Sequence, residues 1–134
     1  MSTISTNKTI VRRWYEEVWN QGKLKVLDEI LARPDSVKQY IDTFRAAFPD
    51  VQHTICEMVE EGDSVVTRWT AKGTHSGQWH GIAPTNNAFS YDGVTFVQLD
   101  AGKIVHHQTI WDALILLEQL EQVPAIRKGD GSRL

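Results

Sequence analysis

His106 and His107 stand side by side in the run GKIVHHQTIWD, and an imidazole titrates close enough to neutral pH to give or take a proton. A run with β-branched residues at its start and middle reads as a strand, whose successive side chains leave opposite faces. The two histidines therefore cannot easily chelate one metal ion. Val105, His107, Thr109 and Trp111 instead share one face. A histidine so placed could act as acid or base on a carbonyl compound or its α-proton. A lone histidine on a sheet face is more often a hydrogen-bonded wall residue than a catalyst, and both readings stand at this stage. His106, on the other face, is expected at the surface or in a subunit contact.

Other chemically able residues gather upstream. His75, Trp79 and His80 lie in or beside the Gly/Pro/Asn-rich segment GTHSGQWHGIAPTNN, where Trp79 is either the rim of a pocket or a staple holding the loop to the sheet. His53 shares a strand face with Val51 and Ile55 and has a weaker claim to chemistry, as do His75 and His80. Trp69 and Trp111, on inward strand positions, offer flat apolar walls suited to a ring-shaped ligand. Trp14 and Trp19 read as core, with Trp14 able to reach a pocket floor. No carboxylate has a recognised helical spacing to a histidine, so no metal site is expected. Glu16-Glu17 and Glu60-Glu61 read as solvated faces, and Asp112, just before a Leu-rich segment, as a helix N-cap.

The elements that must position these groups are legible in the hydrophobic period. Ile10, Val11, Trp14, Tyr15, Val18 and Trp19 recur every three or four residues and predict a helix over 6–20, broken at Gln21-Gly22. A short second helix carries Leu24, Leu27, Ile30 and Leu31. A third, capped by Asp35 or Ser36, buries Val37, Tyr40, Ile41, Phe44 and Phe48 before Pro49. From Val51 the period becomes two, with strands from Val51, over 65–72, over 89–99 and over 104–111. Glu61-Gly62-Asp63 and Asp100-Ala101-Gly102-Lys103 read as hairpin turns. A last helix then carries Leu114, Leu117 and Leu120 and ends at Pro124. Helices first and hairpin-connected strands afterwards predict an α+β domain, with helices on one face of an antiparallel sheet.

The 134 residues suit one domain, whose polar, Gly-rich segment after Pro124 is expected to be a flexible tail. A net charge of −3 with scattered Lys and Arg lacks the footprint of a nucleic-acid binder. One cysteine, Cys56, allows neither an intramolecular disulfide nor a cysteine zinc cluster. No secretory leader or spanning apolar run is evident, so no membrane contact is expected and a reducing cytoplasm is the expected setting.

The run RWTAKGTHSGQWHGIAPTNNAFSYDGVTFVQLDAGKIVHHQTIWDALILLEQL, together with NKTIVRRWYEEVWNQGKLKVLDEIL and FRAAFPD, resembles the SnoaL-like polyketide cyclase (ester cyclase) family of the NTF2-like superfamily. The order G-T-H-x-G, G-I-x-P-T, D-x-G-K-I and W-D before a Leu-rich helix carries the likeness, from about Asn7 to Leu120. The resemblance implies a cone in which a curved sheet and the N-terminal helices enclose one apolar pocket. It also implies homodimers paired through their sheets. The best-known members close a ring by an intramolecular aldol step without metal or organic cofactor, using an aspartate and a histidine.

The chain departs from that pattern. Where the family's catalytic aspartate is expected this sequence has Thr109, whose hydroxyl can donate a hydrogen bond but cannot serve as a base near neutral pH. The histidine expected on the preceding strand is Thr95. Leu31-Ala32-Arg33-Pro34-Asp35 joins helices two and three almost directly, which leaves the pocket open on that side or omits a loop. These changes argue against true polyketide cyclisation and leave His107 as the candidate catalytic residue. Trp14, Trp69, Trp79, Tyr91, Thr95, Thr109 and Trp111 are the expected ligand contacts.

Three functions remain open. The first is a cofactor-free isomerase- or lyase-like enzyme acting on a small hydrophobic carbonyl or ester compound. The second is a module that holds such a molecule unchanged, and the third a dimeric interaction domain with an incidental pocket.

Overall fold

The computed structural model describes residues 5–124; the expected tail, 125–134, lies outside them. Helix α1 (Thr6–Arg13) starts where the Ser5 side chain accepts a hydrogen bond from the Lys8 N–H at 3.1 Å. The helix then widens into a π-helical segment, Trp14–Trp19, in which the Asn20 N–H donates to the Tyr15 carbonyl, five residues back, at 3.0 Å. Trp14, Tyr15 and Trp19 of this segment all line the interior. A 3₁₀ turn (Leu24–Val26) leads into the short α2 (Leu27–Ile30), and α3 spans Asp35–Ala47.

The expected cap of α3 is corrected. Neither Asp35 nor Ser36 caps the helix; Pro34 holds the N-cap position without a side-chain bond, and its carbonyl accepts from the Lys38 N–H at 2.9 Å. The ring of Pro34 already sets a helical φ, so Asp35 falls inside the first turn, where its charge complements the helix dipole.

Strands β1 (Gln52–Glu61), β2 (Ser64–Thr74), β3 (Ala88–Asp100) and β4 (Lys103–Trp111) form one antiparallel sheet in the order β1-β2-β3-β4. Two irregularities in its register, at Ile55/Glu57 and at Gln98/Leu99, bend it. The second corrects the expected face of β4. Gln98 pairs with His106 and Leu99 with Ile104, so Val105 is the unpaired extra residue and is 51% exposed. Ile104 takes its inward place at 2% exposed, while the face from His107 through Thr109 to Trp111 is kept.

Helix α4 (Ala113–Gln119) begins as expected: the Asp112 carboxylate accepts from the Ile115 N–H at 3.0 Å. Of the expected stripe, Leu120 is fully buried and Leu117 packs partly buried against the core, whereas Leu114 is 37% exposed and Leu116 is buried in addition. The helices close the concave face of the sheet, and the inward side chains of Val65, Trp69, Ala71, Tyr91 and Val97 meet Val11, Leu27, Ile41 and Phe44 in one core. The opposite face leaves Phe96 and Ile110 exposed. No helix among the described residues is long and apolar enough to cross a membrane.

Candidate functional site

A cavity of about 460 Å³ lies between the concave face and the helices, a size ordinary for a small-molecule site. The π-helical segment supplies Trp14, Tyr15 and Trp19; α3 supplies Ser36, Val37, Tyr40 and Ile41; and the strands supply His53, Trp69, Tyr91, Thr95, His107, Gln108, Thr109 and Trp111. Seven of the eight expected site residues therefore meet around one space. No Asp or Glu is among the lining residues. Ser36, Tyr40 and Gln108 border it, and Tyr40 is 47% exposed. The mouth thus opens between the start of α3 and β4, beside the short link from α2, where the Ala32 N–H donates to the Ile104 carbonyl at 3.0 Å.

Trp79 is the exception. It is 9% exposed and packs against Phe48 and Phe44, with centroids at 5.4 and 6.4 Å, which is the staple arrangement. It borders a neighbouring hollow of about 330 Å³ that shares only Ser36, Tyr40 and Trp111 with the main cavity. His75 is fully buried under the same loop, its Nδ1 3.0 Å from the Thr85 hydroxyl.

The polar groups of the cavity are connected. Trp69 Nε1 donates to Thr95 Oγ1 at 3.0 Å, and Thr95 Oγ1 lies 3.0 Å from Thr109 Oγ1, its cross-strand partner. Burial holds the Tyr15 phenol above its usual range. With Thr95 accepting from Trp69 and donating to Thr109, the Thr109 proton is free to point at a ligand. A donor at the end of such a chain is polarised by the links behind it. Gly93 makes the arrangement possible, since a Cβ there would overlap the Trp69 indole.

His107 sits on the same strand face, its ring edge-on to Trp14 with centroids 5.1 Å apart. Partial burial, and secondarily the charge His106 can carry, push its pKa below the usual histidine range, so the neutral, proton-accepting form prevails at pH 7. Burial also raises the Tyr91 and Tyr40 phenols. Among the described residues no group of three His, Cys, Asp or Glu side chains is placed to hold a metal ion.

Eight lining residues were not among the expected contacts: Tyr15, Trp19, Ser36, Val37, Tyr40, Ile41, His53 and Gln108. Tyr15 and Trp19 come from the segment after α1, and Ser36, Val37, Tyr40 and Ile41 from the start of α3. His53 enters on the inward parity it shares with Val51 and Ile55, a signal present in the sequence but outweighed by the clearer case for His107.

A curved antiparallel sheet whose concave face is closed by helices around an apolar cavity is the architecture of the NTF2-like superfamily. The model of the SnoaL-like polyketide cyclases matches residues 9–120, and the chain belongs to that family. Among solved structures it is similar to a candidate polyketide cyclase from Acidithiobacillus ferrooxidans, with 28% identity and a TM-score of 0.81 over 91% of this chain and 99% of that one. IdmH from Streptomyces antibioticus, also a candidate polyketide cyclase, is 27% identical with a TM-score of 0.78 over 87% of this chain and 99% of its own. AclR from Streptomyces galilaeus, a candidate hydroxylase, shares the fold with a TM-score of 0.83 at 22% identity, over 94% of this chain and 87% of that one. No curated protein matches the chain.

Proposed function

We propose that the protein is an acid-base enzyme that needs no cofactor and acts on a small, largely apolar carbonyl or ester compound, with His107 transferring the proton. The observation that carries this reading is the convergence of His107 and the Trp69–Thr95–Thr109 hydrogen-bond chain on one wall of an apolar cavity. Neutral His107 takes a proton from the carbon next to the carbonyl, and the electron pair moves onto the oxygen, where Thr109 donates a hydrogen bond to the growing charge. The imidazolium then returns the proton at another carbon or at oxygen, which isomerises the ligand; or the enolate carbon attacks a second carbonyl carbon of the same molecule, the C=O π pair moves onto that oxygen, and the oxygen takes the proton, so a carbon–carbon bond forms without net redox change. Trp14, Trp69, Tyr91 and Trp111 supply the apolar walls for the ligand, while Trp79 acts on it only through the neighbouring hollow.

The absence of Asp or Glu from the lining favours a second reading, in which the cavity holds its ligand unchanged, because no carboxylate orients the His107 ring. Native mass spectrometry of purified protein and of His107→Ala separates the two. A small molecule retained by the variant and missing or altered in the wild type supports catalysis, whereas the same molecule on both supports a carrier. We also assign the exposed apolar face, with Phe96, Ile110 and half-buried Val66 and Val94, to a homodimer contact through the sheets. The exposed free thiol of Cys56 suits a reducing compartment such as the cytoplasm.

A further inference from the structure

The cavity contains a second histidine that proton transfer at His107 does not use. His53 lies on β1, at the edge of the sheet opposite β4, and is 6% exposed. Its ring is enclosed by those of Trp19, Trp69 and Tyr15, with centroids at 4.6, 4.9 and 5.9 Å. Asn20 grips only its backbone: the side-chain oxygen accepts from the His53 N–H at 2.6 Å and the side-chain nitrogen donates to its carbonyl at 2.9 Å.

The imidazole itself is uncommitted. Its Nδ1 is enclosed and has no hydrogen-bond partner among the described residues. Burial, reinforced by the charge of Arg45, pushes the pKa down to about 3, so the ring carries one proton at neutral pH. A proton on the enclosed Nδ1 would meet no acceptor. On Nε2 the same proton serves the cavity that His53 helps to line. His53 and His107 stand on the two edge strands of the sheet, β1 and β4, and line the same cavity with the rings of Trp14 and Tyr15 between them.

We propose that His53 is a specificity-determining residue, donating a hydrogen bond from Nε2 to a neutral acceptor oxygen at the far end of a flat ligand whose carbonyl faces His107 and Thr109. The inference rests on the carbonyl reading above and adds a second recognition point to it. A molecule with an oxygen at one end only leaves a buried donor unpaired, so the second oxygen is worth about tenfold in affinity, the equivalent of about 1.4 kcal/mol.

The test uses 2-acetylnaphthalene and 2,6-diacetylnaphthalene as probes, with naphthalene as the reference, and reads dissociation constants by tryptophan fluorescence. The diacetyl compound is expected to bind the wild type about tenfold more tightly than the monoacetyl one. In His53→Leu that ratio collapses to about one, and in His53→Gln, which keeps an N–H donor, it is partly restored; near-UV circular dichroism verifies that both variants are folded. A ratio near one in the wild type, or an unchanged ratio in His53→Leu, overturns the role of His53 while leaving the carbonyl reading in place. If 2-acetylnaphthalene binds no better than naphthalene and is insensitive to Thr109→Val, the carbonyl reading fails and this inference falls with it.

Discussion

A neutral imidazole enclosed by aromatic rings makes folding depend on pH in a direction fixed by its environment. His53 keeps a pKa of about 3 in the folded chain against about 6.5 when solvated. Below pH 6.5 the unfolded chain therefore binds a proton that the folded chain refuses. The contribution of His53 to stability is fully present above pH 6.5 and is lost progressively as the pH falls toward 3. At about 1.36 kcal/mol per pH unit in the window between those values, lowering the pH from 7.5 to 5.0 costs about 2 kcal/mol from this one group. Urea unfolding of wild type and of His53→Gln at both pH values isolates the effect, since every other titrating group is common to the two proteins. The wild type is expected to lose about 2 kcal/mol more than the variant over that step. Parallel pH profiles would refute the argument, because they would mean that the imidazole is solvated or has a partner able to stabilise its charge.

Three further outcomes follow from particular contacts. Thr67 is fully buried with an unpartnered hydroxyl, so Thr67→Val, which keeps the shape and removes the orphan group, should raise unfolding stability by about 1 kcal/mol in urea titrations. Gly93→Ala should lower stability by about 1–3 kcal/mol and change the near-UV circular dichroism of the tryptophans, because the new methyl group displaces the Trp69 indole and with it the bond to Thr95. Ile110→Glu places a charge on the exposed sheet face, where Ile110 is 60% exposed. If the sheets pair as proposed, it should halve the mass seen in light scattering relative to wild type, and an unchanged mass would refute that contact.

The fold was readable because period and punctuation agree along most of the chain. Alternation over 65–72 and 89–99 gives the inward rows that contain Trp69 and Thr95, and Asp112 caps its helix as its position before a Leu-rich segment implies. The features missed are those that local period cannot encode. The π-helical turn at Trp14–Trp19 has the same apolar spacing as an ordinary helix, so the sequence pattern does not announce it. The bulge at Val105 reverses one residue of an otherwise regular strand, and a pairing register is set by the partner strand. Trp79 occupies a loop where a rim and a staple have the same composition, so only its packing on Phe44 and Phe48 distinguishes them. The hydrogen-bond chain through Thr95 was hidden for a similar reason, since its links come from three strands.

The most direct test of proton transfer at His107 is hydrogen–deuterium exchange at the carbon next to the carbonyl of 2-acetylnaphthalene, followed by NMR in deuterated buffer with wild type and His107→Ala. Wild type is expected to exchange the methyl protons faster than buffer at pH 7.5, with the rate falling once the pH drops below the depressed pKa of His107, and the variant to exchange no faster than buffer. Equal rates for the two proteins would contradict the assignment of His107 as the acid-base residue.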